Sequence, residues 1–184
     1  EYRGKPNLEE FAATLDSTGR EFGNCILVVE NNSLGISILE KLRDREYPNL
    51  YHSVKGTHEY VDQLQAESIG NSVPGFTTSS KTRPLIVAKM EEFIRNKLIT
   101  TYSSRLVDEF KTFIWNNNKA QAMRSYHDDL VMALAIACWV RDTALTINKK
   151  DLEYKKAMMN AMQLNTRKLQ TTIPGMQGHR RGVW

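Results

Sequence analysis

Two places in this sequence carry acidic side chains where a reaction could use them. Glu30 ends the apolar run Cys25-Ile26-Leu27-Val28-Val29 and is followed by Asn31-Asn32. Ligands of open α/β sheets bind outside the carboxyl ends of strands, so a carboxylate there is rigidly held yet reaches solvent. The plainer alternative is a strand-end acid with no role. The second place is His127-Asp128-Asp129, directly before Leu130-Val131-Met132-Ala133-Leu134-Ala135. One acid at a helix start is ordinary capping that suits the helix dipole. Two adjacent acids repel each other, and a divalent cation would relieve that repulsion. Oxygen donors suit magnesium or manganese rather than zinc. The alternative is an N-cap beside a surface acid. Brought to one sheet edge, the two places suit two-metal phosphodiester hydrolysis, with the metals about 3.5–4 Å apart.

Other patterns are weaker. Thr77, Thr78, Ser79, Ser80, Lys81 and Arg83 make a hydroxyl-rich basic stretch at a helix start, which reads as a phosphate holder or as a capped loop. The sequence contains neither a GxxxxGK[ST] P-loop nor a GxSxG nucleophile elbow. Met158, Met159 and Met162 read as a packing face. Cys25 and Cys138 each sit in an apolar run without a CxxC neighbour and read as buried core thiols in a reducing compartment.

The elements that must position these residues alternate. Asn7 and Glu10 form a capping box ahead of Leu8, Phe11, Ala12, Leu15 and Phe22 at helical spacing, and Gly23 stops the helix. The run at 25–29 fits a strand buried on both faces. A helix over 34–43 follows, then Pro48, then a strand over 50–54. Residues 55–79 are a polar excursion with hairpin character that ends in Phe76-Thr77-Thr78. Thr82 caps a helix whose stripe is Ile86, Met90, Phe93 and Ile94, with Pro84 in its first turn. Leu106, Phe110, Phe113 and Ile114 mark another helix, and Asn116-Asn117-Asn118 a turn. The most apolar helix spans about 128–145. A polar helix begins at Lys149 and fades after Arg167 toward Ile173-Pro174-Gly175 and a terminus at Trp184. The alternation predicts an α/β layered fold.

Length and charge bound the reading further. A chain of 184 residues is one ordinary domain. Its longest apolar run, residues 130–140, is too short to span a membrane, and its N-terminus lacks the apolar core of a signal peptide. The net charge of +4 is unevenly placed. From Lys149 onward eight basic residues face only Asp151 and Glu153, so the body is slightly acidic. The division expected is therefore a domain over 1–148 and a basic helical extension and tail over 149–184. Such a tail reads as a contact for an acidic partner or as a solvated end.

Three segments in this order resemble one family. They are Val28-Val29-Glu30-Asn31-Asn32 with Gly35; Gly75-Phe76-Thr77-Thr78 ahead of Thr82-Arg83-Pro84; and Tyr126-His127-Asp128-Asp129-Leu130-Val131-Met132-Ala133-Leu134-Ala135. Across residues 1–145 the sequence is similar to the nuclease domain of the large terminase subunit of tailed bacteriophages, most closely the T-even type. The resemblance implies an RNase H/RuvC-like fold, a mixed sheet flanked by helices. It also implies an acidic triad that binds Mg²⁺ or Mn²⁺. Glu30 matches the second acid, and Asp128 or Asp129 the last. The first acid lies on an opening strand that this sequence lacks, so the chain reads as a fragment of the domain, without its N-terminal strand and without the family's ATPase motor domain.

The activity implied is metal-dependent endonuclease cleavage of concatemeric double-stranded DNA into genome units during headful packaging, with His127 orienting water or steadying an acid. Lys81, Arg83, Arg124 and the basic tail are the candidate backbone contacts. The partners implied are DNA, the portal protein, the small terminase subunit and the ATPase domain. The location implied is the host cytoplasm, at the prohead portal, with no membrane. The other reading is a noncatalytic module that docks on the portal and guides DNA. A third is another RNase H-like enzyme, such as a junction resolvase or transposase.

Overall fold

Residues 25–30 organise the architecture. In the computed structural model, which describes residues 1–55, 60–61, 66, 70–116 and 119–170, they form an extended segment flanked by two apolar clusters. Leu27 and Val29 pack on one cluster, with Ile38, Leu39, Leu42, Tyr47 and Leu50 at its centre. Ile26 and Val28 pack on the other, which holds Ile86, Met90, Val131 and Ala135. Alternate side chains of an extended chain point to opposite faces, so this segment has apolar neighbours on both; it is half-buried rather than buried, and it makes two isolated bridges in place of the central strand that its continuous apolar run predicts. The protein is mixed α/β.

Helix α1 (Leu8–Glu21) and helix α2 (Leu34–Asp44) serve the first cluster. The Asn7–Glu10 capping box is present. Lys41 and Arg45 both reach Glu9, at 2.7 and 2.5 Å, and hold its carboxyl below the ordinary value. Helix α3 (Thr82–Arg95), helix α4 (Ser104–Thr112) and the start of helix α5 (Asp129–Gln170) build the second cluster. One small antiparallel sheet has the order β2–β1–β3, with β1 (His52–Val54) pairing β2 (Tyr60–Val61) and β3 (Ser72–Pro74). The other is the hairpin of β4 (Phe113–Asn116) and β5 (Lys119–Ala122).

Among the described residues the backbone of segment 25–30 is paired along one edge only. Leu27 exchanges hydrogen bonds with Asn49 and Tyr51, at 2.9 and 3.0 Å. Val29 and Asn31 then bond Phe76, at 2.8 and 2.9 Å. These are isolated parallel bridges, Leu27 with Leu50 and Glu30 with Phe76. One neighbour hands over to the next where Gly75 donates to the Tyr51 carbonyl at 2.7 Å. Gly75 has φ +82°, and a Cβ there would stand 2.6 Å from the Val29 carbonyl oxygen, so both its backbone and its space require glycine. The N–H and C=O groups of Ile26 and Val28 face the opposite edge and make no backbone hydrogen bond among the described residues.

Several sequence expectations change here. Cys25 is exposed, not buried: it begins the extended segment, where Tyr47 Oη donates to its carbonyl at 2.5 Å and lies 4.0 Å from its thiol at the edge of the cluster. Cys138 is buried as expected, and burial raises its thiol pKa. Phe113 and Ile114 leave the helix and start strand β4, because they pair with Gln121 and Ala122 of β5, which sets Ala120 in the core; residues 117–118 of the expected turn lie outside the described residues. Phe22 lies past the end of α1 and is exposed, as is Ile94. The strand expected over 50–54 is shorter, with Leu50 joined only by its bridge. Thr82 is the first helical residue rather than the cap; Ser79 Oγ accepts from the Lys81 and Thr82 amides at 3.3 and 3.1 Å. The two C-terminal helices are one, since 145–148 contains neither Gly nor Pro to break it.

The chain divides into unit Glu1–Ala144 and unit Leu145–Trp184. In the second unit the helix runs to Gln170, and Met158 and Met159 are exposed, so they form no packing face there. Met162 and the end from residue 171, with Ile173-Pro174-Gly175, Arg180, Arg181 and Trp184, lie outside the residues whose side chains are described, as does most of the 55–79 excursion. Among the described residues no helix is long and apolar enough to cross a membrane.

Candidate functional site

Glu30 stands at the carboxyl end of the extended segment and is exposed. By the two-residue period it shares the face of Ile26 and Val28, the face that packs on α3 and α5. Asn32 Nδ2 donates to Glu30 Oε1 at 2.8 Å, and no described residue bonds Oε2. Asn31 Nδ2 donates to the Pro74 carbonyl at 3.1 Å, which ties the turn after Glu30 to strand β3. Two backbone features fix this turn. Ser33 has φ 47° and ψ −113°, a strained position for a residue with a Cβ. Gly35 lies so close to the Glu30 carbonyl that a Cβ would collide with backbone. Helix α2 can begin directly beneath Glu30 only because residue 35 has no side chain.

The mouth of α5 is built differently. Asp128 occupies the N-cap position, and its carbonyl accepts from Met132 N–H at 2.8 Å. Its side chain does not cap the helix. Glu109 of α4 does so instead, accepting the Leu130 and Val131 amides at 2.8 and 3.1 Å. This carboxylate balances the positive end of the helix dipole. Asp128 and Asp129 are thereby both released from capping. Asp128 turns toward Arg83, forming an ion pair through Oδ2, and the same oxygen accepts the Ala122 amide at 3.3 Å. Arg83 Nε donates to the Ala120 carbonyl at 2.7 Å, so this pair joins α3, β5 and the α5 mouth. Asp129 is 86% exposed at its side chain, with His127 Nδ1 3.9 Å away and itself 85% exposed.

The structure therefore brings Asp128 and Arg83 together, while Asp129 and His127 stand in solvent. Lys81 and Arg124 are exposed. Sequence reasoning missed Glu109: it belongs to another helix and acts across 21 positions, with no local pattern to reveal it. It missed Lys119 as well, because the hairpin that presents it was read as a turn and a helix end.

The donors can be tested against a divalent cation by their present engagements. Glu30 and Asp129 offer free hard oxygens of the right type for Mg²⁺ or Mn²⁺. Asp128 Oδ2 is neutralised by a guanidinium. Among the described residues no three His, Cys, Asp or Glu side chains are grouped to hold a metal ion. These acids by themselves do not complete a cage for such an ion.

No model of a known protein family matches the chain.

Proposed function

We propose that this chain carries the greater part of an endonuclease domain of a viral DNA-packaging terminase, with an RNase H-like sheet completed by a further strand along the open edge of residues 25–30. One observation carries the reading. Glu30 ends the extended segment and belongs to the face that packs on α5, whose mouth presents two carboxylates freed from capping by Glu109. The order of the three motifs supports the same reading. The edge at Ile26 and Val28 is where an additional strand bearing the family's first acid would pair. Mg²⁺ or Mn²⁺ is the cation implied by the resemblance, and its cage needs an acid beyond those placed here. Double-stranded DNA is the substrate, with the portal, the small terminase subunit and an ATPase domain as partners.

The test is plasmid nicking by this chain and by a version extended with the additional strand, each with Mg²⁺, Mn²⁺ or chelator. Metal-dependent nicking by the extended form, abolished by Glu30→Ala and by Asp129→Ala, is the expected result. A folded extended protein that cuts nothing would sink the proposal.

A second reading has its own observation. Asp128 is spent as the counter-ion of Arg83, which suits a noncatalytic portal-docking and DNA-guiding module. Partner binding that is equal in metal and in chelator, without nicking, would favour it.

A further inference from the structure

The β4–β5 hairpin, the start of α3 and the residues ahead of α5 line an open cleft of about 590 Å³. Arg83, Lys119, Arg124, Tyr126 and Asp128 line it. Three cations thus face one carboxylate, and that carboxylate is already held by Arg83. Lys119 and Arg124 have no ion-pair partner among the described residues. Tyr126 presents its ring to solvent at 58% exposure. The cleft is therefore lined by more cations than anions, and one of those cations is already paired with its carboxylate.

Arg83 is the least exposed of these cations, with 17% of its side chain open. Nε is fixed on the Ala120 carbonyl, which sets the plane of the guanidinium, and one Nη2 bond goes to Asp128. A guanidinium carries five N–H donors in a rigid fork that matches a phosphate in bidentate fashion. The donors left over on Arg83 have no partner among the described residues. A phosphate drawn in by Lys119 and Arg124 meets the same fork that holds Asp128, and two anions then compete for one cation.

We propose that this cleft seats a phosphate of the DNA backbone and that Arg83 is a positioning residue, which holds the Asp128 carboxylate while the cleft is empty and releases it when the phosphate takes the fork. The DNA identity of the ligand rests on the function proposed above; the competition rests on the geometry. Because the two anions compete for one fork, whatever loosens Asp128 from Arg83 must tighten phosphate binding, by at most the factor by which the latch is weakened.

The experiment measures binding of a short blunt-ended DNA duplex to the full chain by fluorescence anisotropy, in chelator, over a series of salt concentrations. Lys119→Ala with Arg124→Ala should weaken binding about tenfold or more and reduce the salt slope by about two. Asp128→Asn should tighten binding about five-fold with Arg83 present. In an Arg83→Gln background the same change should move affinity by less than about twofold. Arg83→Lys keeps the charge without the fork and should also lose most of the coupling, which serves if Arg83→Gln does not fold by circular dichroism. Asp128→Asn acting by an equal factor in every background, or weakening binding, overturns the latch. Unchanged affinity in the Lys119/Arg124 variant overturns the cleft. Neither result touches nicking, so the nuclease proposal stands or falls separately.

Discussion

Glu30 and Asp128 are the two acids on which the functional reading turns, and they are held in opposite ways. Glu30 is placed by backbone: a strained turn at Ser33, a glycine at 35 and pairing to Phe76 leave its position little freedom. Among the described residues its only side-chain partner is Asn32, two residues away. Asp128 is placed by a side chain 45 positions distant. Covalent neighbours make a fixed post, whereas an ion pair between groups that are mostly buried makes a contact that can be exchanged for another. The difference predicts a site with one rigid acid and one adjustable acid.

The sharpest way to break this comparison is Gly35→Ala. The added Cβ meets the Glu30 carbonyl, and overpacking against backbone should cost about 3 kcal/mol in denaturant unfolding. An unchanged midpoint would mean that the post is not rigid. At the other region, Glu109→Ala removes the cap of α5 and should cost about 2 kcal/mol, with Glu109→Gln losing less because one oxygen still accepts. If Glu109→Ala is neutral, Asp128 or Asp129 has taken over the cap, and the freedom of the adjustable acid is an artefact of one arrangement.

Tyr47→Phe probes the far end of the rigid segment. It deletes the bond to the Cys25 carbonyl and should cost about 1 kcal/mol. Burial, with the neighbouring Cys25 adding to it, pushes the Tyr47 hydroxyl up to about 12 from an ordinary 10. A raised folded-state pKa gives stability that is complete below pH 10 and lost as pH climbs from 10 to 12. Wild type should therefore lose stability across that window faster than Tyr47→Phe, as chemical denaturation at stepped pH will show. Asn32→Ala should be the mildest, within about 0.5 kcal/mol, since the group it holds is exposed and fixed by backbone. A large loss there would give Glu30 the same dependence on a side chain as Asp128.

Much of the framework is legible in the residues. Asn7 and Glu10 announce α1 because a capping box is local chemistry, and Ile86, Met90 and Phe93 announce α3 because one face must be apolar. The 25–29 run reads correctly as an extended segment with apolar neighbours on both faces, but not as a buried strand, because its backbone makes only two isolated bridges and its side chains stay half-buried. Phe113 and Ile114 mislead because a short apolar pair fits the end of a helical stripe and the start of a strand equally well; the hairpin partner at 119–122 decides. Cys25 misleads because it is apolar by type but sits at the first position of its run. The acids themselves are visible in sequence as Glu30, Asp128 and Asp129. Their difference in restraint is not, because Arg83 and Glu109 act on the α5 mouth across distances that no local pattern encodes.

The edge at Ile26 and Val28, which meets no backbone partner among the described residues, has a practical consequence for anyone handling the protein. Two apolar residues with idle amides and carbonyls are a template for any passing extended chain, including another copy of the same molecule. Concentrated solutions should build reversible strand-to-strand aggregates whose mass, followed by light scattering, rises with concentration and falls when a short peptide of alternating valine and threonine is added in excess.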